Sequence, residues 1–281
     1  MRVVGGDVDA NLRSALRMIG AAARAGAQVV LLPEALDAGW THPSGRELAD
    51  LVPSGRVCAA FCDAAQEHGL YVCAGLTERA GERVYNAAVL VSPKGQVLLH
   101  HRKLNELEIG QDLYDQGDRL AVAHTPLATF GLMICADGAV RGQFVTRALG
   151  LMGADVVLSP SAWAVQAGHD NARNPYGGMW RENYGMAARD FRMWIAGCSG
   201  VGRINGGPWK GHSCIGCSLV VDPRGEPVLV GPYGAASERL LTADIAPEPR
   251  PARGTSWARL WEGGERPAGR APRGRACRRG P

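Results

Sequence analysis

Apolar residues follow two different patterns along this chain, and each pattern predicts a type of secondary structure. In residues 9–26 the apolar positions 12, 16, 19 and 23 recur at helical spacing. This spacing predicts a helix that Asp9 caps and that ends near Gly26. Similar spacing predicts three more helices, over residues 54–69, 144–152 and 178–191.

Short continuous apolar runs bounded by Gly, Pro or Asp predict β-strands. Ala80-Gly81 and residues 93–95 are turn signals that join three of these runs into an antiparallel meander, and residues 222–225 form a hairpin turn. Helices and strands that alternate, with some hairpins, predict one α/β domain with mixed sheets covered by helices. The predicted strands cover residues 29–32, 71–76, 84–91, 97–101, 130–135, 154–158, 194–198, 214–221 and 227–230.

Composition predicts a soluble, globular and cytoplasmic protein. Of the 281 residues 46% are hydrophobic and 21% are charged, and no apolar run reaches the roughly 18 residues that suggest a membrane span. The start of the chain lacks the regions of a signal peptide. The eight cysteines are scattered through apolar runs, which favours buried reduced thiols over a disulfide framework.

The formal net charge of +4 comes from the C-terminus. From about Gly263 onward the chain is almost entirely Gly, Arg, Pro and Ala, a composition that cannot bury apolar surface. We therefore predict a folded domain over residues 1–262 and a disordered basic tail over residues 263–281. The tail has no interleaved aromatic residues, and a nucleic-acid partner is not expected.

Three reactive side chains stand where apolar runs end: Glu34, Lys103 and Cys135. A thiol is a nucleophile once a base removes its proton, a carboxylate can be that base, and an ammonium can stabilise an oxyanion. In open α/β sheets ligands bind beyond the carboxyl ends of the strands. These three groups could therefore converge on one site for acyl transfer.

Other residues are weaker candidates. Trp163 could line a substrate pocket or could pack the core, and Arg173, in a polar loop, could meet a substrate carboxylate. Cys214 and Cys217 have the spacing of a metal or redox pair, but no second pair accompanies them, so we predict no metal site.

The motifs around the three reactive residues resemble those of the nitrilase, or carbon-nitrogen hydrolase, superfamily, over about residues 5–257. They occur in the family's order: Leu32-Pro33-Glu34, His101-Arg102-Lys103-Leu104 and Ile134-Cys135-Ala136-Asp137. The resemblance implies an αββα sandwich of two sheets. It also implies a homodimer or higher homo-oligomer that forms through a helical face.

The resemblance further implies roles for the residues. Glu34 would deprotonate Cys135, and Lys103 with the N–H of Ala136 would stabilise the oxyanion. Ammonia or an amine would leave, and water would hydrolyse the thioester. The substrate would be a small amide or carbamoyl compound, and no metal or organic cofactor is expected.

Two departures from the family pattern stand out. The family's usual first strand is missing before the first helix, which would expose a sheet edge. Many members also carry a second glutamate after the lysine, and an ungapped match places Gly110 there. Glu106 and Glu108 are the nearby substitutes, and we predict that Glu106 fills this role.

The sequence thus favours an amidase-type hydrolase of non-peptide C–N bonds. True nitrilases usually follow the cysteine with Trp-Glu, whereas Ala136-Asp137 resembles the amidase and carbamoylase branches. An N-carbamoyl amidohydrolase is the main alternative. An acyltransferase, or a catalytically weak scaffold or binding protein of the same fold, also stays open.

Overall fold

The computed structural model describes residues 1–248. The predicted boundary at residue 262 and the predicted basic tail lie outside these residues. The described helices are α1 Val8–Arg24, α2 Gly45–Leu48, α3 Arg56–His68, α4 Phe144–Leu151 and α5 Gly178–Phe191, with 3-10 turns at Glu108–Gly110, Cys135–Ala139 and Arg141–Gln143. The strands are β1 Val29–Leu31, β2 Tyr71–Ala80, β3 Arg83–Val91, β4 Val97–Arg102, β5 Val122–His124, β6 Thr129–Leu132, β7 Val156–Ser161, β8 Ala164–Val165, β9 Trp194–Ser199, β10 Val201–Arg203, β11 Ser213–Ile215, β12 Leu219–Val221 and β13 Pro227–Val230.

Two sheets form the centre of the molecule. One has the order β1-β2-β3-β4, and the other has the order β13-β12-β9-β7-β6-β5. In the first sheet β1 pairs with β2 in parallel, and β2, β3 and β4 form the predicted antiparallel meander. In the second sheet β6, β7 and β9 are parallel. A small third sheet has the order β10-β11-β8.

The side chains of β2 show how the layers stack. Tyr71 and Cys73 belong to the core between the two sheets, which also contains Phe130 and Leu158 of the second sheet. Val72 and its neighbours at alternate positions pack instead against α1 and α3. Helices α4 and α5 cover the far side of the second sheet. This arrangement is the predicted αββα sandwich, and it follows from the two-residue period of each strand.

Some boundaries differ from those predicted. The cap of α1 is Asp7, whose side chain accepts a hydrogen bond from the N–H of Ala10, and Asp9 lies in the first turn. The predicted strand over residues 214–221 is wrong as a single element. It breaks into β11 and β12, because Gly216 and Cys217 adopt positive φ angles of 67° and 61°.

The residues before α1 contain one parallel bridge, between Arg2 and Val201, and no named strand. No helix within residues 1–248 is long and apolar enough to cross a membrane. The seven cysteines in this part of the chain are all free thiols.

Candidate active site

Three charged side chains from two segments of the chain form one buried cluster. Lys103, directly after β4, donates from Nζ to Glu34 Oε1 at 2.7 Å and to Glu106 Oε1 at 3.2 Å. All three residues are buried. Two carboxylates around one ammonium compensate for the loss of water, which a lone buried charge could not tolerate.

Asn86 joins the two carboxylates from the other side. This residue of β3 donates from Nδ2 to Glu34 Oε1 at 2.7 Å and to Glu106 Oε2 at 3.1 Å. Its backbone carbonyl accepts the N–H of Lys103 at 2.8 Å. The Oε2 atom of Glu34 accepts no hydrogen bond from residues 1–248. Glu34 is therefore oriented through one oxygen and keeps the lone pairs of the other.

Two neighbouring strands, β7 and β2, fix the main chain around Glu34. The N–H of Glu34 donates to the carbonyl of Ser161 at the end of β7. Gly75 of β2 allows a close approach, because a Cβ at this position would lie 2.5 Å from the Cα of Glu34. Ala35, the next residue, has a positive φ of 42°. Positive φ at a non-glycine residue costs energy and is typical of functional sites.

Cys135 lies on a similar sharp turn. It follows β6 by three residues, opens a 3-10 turn and has a φ of 43°. The buried carboxylate of Asp137 secures this turn by accepting the N–H groups of Ile134, Leu104 and Asn105 at 2.8–3.0 Å.

Asp137 also connects the turn to β4. Its Oδ2 atom lies 2.8 Å from Nε2 of the buried His101. Burial would raise the pKa of Asp137, but the hydrogen bonds from His101 and from the backbone outweigh this effect and lower it. The ionised carboxylate therefore holds the strand that carries Lys103 and the turn that carries Cys135 together.

The pKa values of Cys135 and Lys103 are both raised, which leaves the thiol neutral and the amine charged. Burial raises the pKa of the Cys135 thiol well above its usual value, and the negative charge of Glu34 raises it further. Burial lowers the pKa of Lys103, but Glu34 and Glu106 overcome this effect and raise it. The resting site therefore holds a protonated thiol beside a charged ammonium.

Glu106 occupies the space next to Gly110, the position where the family match expects a glutamate. A Cβ on Gly110 would lie 2.6 Å from Glu106 Oε1 and 3.0 Å from its Cδ. The carboxylate at position 106 thus fills the volume that a side chain at position 110 would enter. Burial raises the pKa of Glu106, an effect that Lys103 opposes and Glu34 strengthens.

Aromatic side chains lie near Lys103 and in the core that contains Cys135. Trp163 is buried and stacks on Trp180 at 4.9 Å, and both belong to the same core as Cys135. The ring of Trp40 lies 5.9 Å from Lys103 Nζ. Its Nε1 and that of Trp163 find no hydrogen-bond partner among residues 1–248. The backbone of Ala162 hydrogen-bonds the thiol of Cys135, which lowers its pKa against the larger effect of burial.

The remaining predicted residues occupy two different environments. Ala136 is buried in the turn after Cys135, where the first N–H groups have no intrahelical acceptor. Its carbonyl accepts the Asn105 side chain at 2.7 Å. Arg173 has a side chain that is 90% exposed and lies 3.6 Å from Asp170. The structure does not bring Arg173 into the buried cluster, and its predicted contact with a substrate carboxylate stays a prediction.

The structure adds residues that the motifs did not single out: Asn86, Asp137 as an anchor of the turn, and Trp40. Among residues 1–248, no group of His, Cys, Asp or Glu side chains has the arrangement of a metal site. Cys135 and the cluster together offer a nucleophile, a base with a free oxygen, and a fixed positive charge.

Comparison with known proteins finds matches over most of this chain. The family model for carbon-nitrogen hydrolases matches residues 1–252. A nitrilase of Pyrococcus abyssi is 33% identical over 222 residues, which cover 78% of this chain and 77% of that protein. An omega-amidase of Xenopus tropicalis is 26% identical over 245 residues, which cover 84% of this chain and 82% of that protein. The crystal structure of an amidase from Nesterenkonia sp. superimposes with a TM-score of 0.69 at 21% identity, covering 83% of this chain and 85% of that one.

Proposed function

Because this chain belongs to the carbon-nitrogen hydrolase family, we propose that it is a cysteine-dependent amidase. It would cleave the linear C–N bond of a small non-peptide amide and release a carboxylic acid with ammonia or an amine. The observation that carries this proposal is the buried hydrogen-bonded set of Glu34, Lys103 and Glu106, which lies in the electrostatic environment of Cys135.

In the first half of the reaction Glu34 takes the proton of the Cys135 thiol. The free Oε2 atom of Glu34 is the acceptor, since Oε1 already binds Lys103 and Asn86. The thiolate then attacks the amide carbon, and the carbonyl oxygen becomes an oxyanion. Lys103 and the N–H of Ala136 stabilise that charge.

Collapse of the tetrahedral intermediate breaks the C–N bond. Glu34 returns its proton to the leaving nitrogen, and the acyl group stays on Cys135 as a thioester. In the second half Glu34 deprotonates a water molecule, and the resulting hydroxide attacks the thioester. The C–S bond breaks, the acid leaves and the thiol regains its proton.

The raised pKa of Cys135 fits this sequence of events. A thiol that stays protonated at rest needs a base at the moment of attack, and this requirement gives Glu34 its role. Lys103 cannot be that base, because its carboxylate neighbours keep it charged. We propose that Glu106, held by Lys103 and Asn86, orients the lysine and takes the role of the family's second glutamate.

The test is ammonia release from a panel of simple amides, N-carbamoyl amino acids and nitriles. Cys135→Ala is the inactive variant, and Cys62→Ala, a partly buried cysteine of α3, is the matched control. We expect release from amides by the wild type and by Cys62→Ala, and none by Cys135→Ala. Activity that survives in Cys135→Ala would overturn the cysteine mechanism.

The same panel separates the alternatives. Carbon dioxide formed together with ammonia would identify an N-carbamoyl amidohydrolase. Ammonia release that speeds up with an added amine, with a new amide as product, would identify an acyltransferase. A well-folded wild type that is silent on every substrate would favour the scaffold or binding protein.

A further inference from the structure

The loop that carries Glu34 is buried along its whole length. It covers residues 34–41, which we call the Glu34 loop, and every residue in it is buried. Loops usually run over the surface, because buried backbone groups need hydrogen-bond partners. Ala35 and Thr41 also have positive φ angles of 42° and 57°. Such strain persists only where the surrounding structure holds the chain in place, so the contacts of this loop decide where Glu34 lies.

Asp37 is the only polar side chain between Glu34 and Trp40, and its carboxylate binds β2. The Oδ2 atom accepts the N–H of Thr77 at 2.8 Å. The Oδ1 atom accepts the hydroxyl of Thr77 at 3.1 Å and the N–H of Ala38 at 2.7 Å. Asp37 is 1% exposed, and Thr77 is fully buried. Both oxygens of a buried carboxylate are therefore used to hold one loop to one strand.

The main chain around Asp37 is held as well. The carbonyl of Asp37 accepts the side chain of Asn11, a buried residue of α1, at 2.8 Å. The N–H of Leu36, the residue before it, donates to the carbonyl of Gly75 in β2 at 3.1 Å. Asp37 thus connects the outer helical layer, the Glu34 loop and the first sheet.

The strand residues that bind Glu34 and Asp37 are paired with each other. Thr77 of β2 lies opposite Asn86 of β3 in the antiparallel ladder, and residues that lie opposite each other share one face of a sheet. Asn86 binds Oε1 of Glu34, and Thr77 binds the carboxylate of Asp37. A shift of Asp37 relative to Thr77 would therefore move Glu34 relative to Asn86.

The burial of Asp37 is unfavourable in itself. Burial raises the pKa of its carboxyl group, and the hydrogen bonds from Thr77 and Ala38 oppose this effect. Removing a carboxylate from water costs free energy that its contacts must offset. Groups with perturbed pKa values are frequent at functional sites, yet the reaction steps described above give Asp37 no chemical role.

We propose that Asp37 is a positioning residue for Glu34. Its carboxylate fixes the Glu34 loop to Thr77, and the fixed loop directs the free Oε2 atom of Glu34 to the thiol of Cys135. The inference rests on the proposed function, in which Glu34 is the base. Asp37 acts through Glu34 and takes no part in the bond-breaking steps.

Alkylation of Cys135 by iodoacetamide at pH 7 measures the base without a substrate. Mass spectrometry of the peptide that contains Cys135 follows the rate and separates it from that of the other cysteines. Glu34→Gln should slow alkylation by about 100-fold, because the buried thiol loses its base. A displacement of about 1 Å can cost about 100-fold in rate, so Asp37→Asn should slow alkylation by about tenfold or more.

Asp222→Asn is the matched control. Asp222 is 4% exposed and accepts the N–H groups of Arg224 and Glu226 at 2.9 Å and 3.0 Å, but it lies in the turn between β12 and β13. Both aspartate variants should melt at a lower temperature than the wild type. Only Asp37→Asn should slow alkylation at a temperature where each protein is folded. Wild-type alkylation in Asp37→Asn, or equal slowing in Asp222→Asn, would overturn the proposal.

A second pair of variants decides the matter if Asp37→Asn does not fold. Thr77→Val removes the hydroxyl that donates to Asp37, and Thr77→Ser keeps it. Alkylation of Cys135 should be about threefold slower in Thr77→Val than in Thr77→Ser, because one hydrogen bond to the carboxylate is lost. Equal rates in the two variants would then overturn the positioning role.

The Glu34→Gln variant separates this inference from the proposed function. Normal alkylation in Glu34→Gln would refute Glu34 as the base, and the positioning role with it. Slow alkylation in Glu34→Gln beside a normal rate in Asp37→Asn would overturn the positioning role alone.

Discussion

At the scale of single residues, the exchange between positions 106 and 110 makes a specific prediction. Glu106→Ala should lower kcat by about 100-fold or more, because Lys103 loses one of its two anchors. The double variant Glu106→Ala/Gly110→Glu should recover part of the lost rate, since the Cβ of residue 110 points at the vacated carboxylate site.

Steady-state kinetics on the best amide of the panel measure this effect. Glu108→Ala is the matched control, since Glu108 is exposed and its loss should leave kcat unchanged. A double variant that is no faster than Glu106→Ala would show that a carboxylate at position 110 cannot replace one at position 106.

Single residues show most clearly how much of the candidate site the sequence could predict. Glu34, Lys103 and Cys135 each follow an apolar run, and the structure places the two charged residues in one cluster in the environment of the thiol. Asn86 escaped prediction because it stands inside a long apolar strand, where an isolated amide carries no spacing signal. Its partners come from the segments after β1 and after β4, and only tertiary pairing reveals them.

At the scale of elements, the contact between β2 and the end of β1 fixes Glu34. Gly75→Ala should displace this segment, since the added methyl group would lie 2.5 Å from the Cα of Glu34 and 2.7 Å from the carbonyl oxygen of Pro33. Overpacking of this kind costs about 1–3 kcal/mol. We expect a lower kcat together with a lower free energy of unfolding.

Kinetics and chemical denaturation check this prediction. Gly178→Ala at the start of α5 is the matched control, because a Cβ there meets nothing within 4 Å. Full activity in Gly75→Ala would mean that β2 does not set the position of Glu34.

The anchor between β4 and the Cys135 turn predicts a pH dependence of stability. Asp137→Asn should reduce the free energy of unfolding at pH 7 by about 3 kcal/mol, because three backbone N–H groups and the buried His101 lose a charged acceptor. The pKa of Asp137 is lowered in the folded state. Its contribution is therefore complete above the unfolded pKa of about 3.9 and is lost as the pH falls toward the folded value.

Denaturation curves between pH 2 and pH 8 measure this contribution. The difference between wild type and Asp137→Asn should shrink below about pH 4. Asp118→Asn, at a side chain that is 76% exposed, should show no such difference. A gap that stays constant down to pH 2 would contradict the proposed anchor.

Helices and strands were predictable where a single hydrophobic period, of about 3.6 or about 2 residues, ran through the segment. The span of α5 agrees with the predicted helix over residues 178–191 and that of β13 with the predicted strand over residues 227–230. The two-residue and three-residue strands β8 and β10 were missed, since such short segments carry no period. The break between β11 and β12 was missed as well, because Cys217 is a non-glycine residue at positive φ.

At the scale of the whole molecule, cover by helices was predictable, because strands with apolar residues on both faces need cover on both sides. The αββα order of the layers was predicted only through the resemblance.

A homodimer that forms through a helical face was likewise expected only from the resemblance. Phe144 and Leu151 lie seven residues apart in α4, on the same side of the helix, and are 70% and 72% exposed. Exposed apolar patches are typical of interfaces. We propose that this face forms the expected homodimer.

Light scattering after size-exclusion chromatography tests the oligomeric state. Phe144→Glu combined with Leu151→Glu should halve the mass of a dimer. Leu51→Glu is the matched control, since Leu51 is 52% exposed on a different part of the chain, and it should leave the mass unchanged. A dimer that survives the double substitution would place the interface elsewhere.

The close approach of Gly110 to Glu106 also restricts how such a site can evolve. Glutamates at both positions would collide and repel each other, since one Cβ would lie 2.6 Å from the other carboxylate. Alanine or glycine at both would leave Lys103 with a single carboxylate. A lineage that changes from one arrangement to the other by single substitutions must cross one of these impaired intermediates. Both orders of mutation pass through an impaired intermediate, so a chain that has made the exchange cannot easily return.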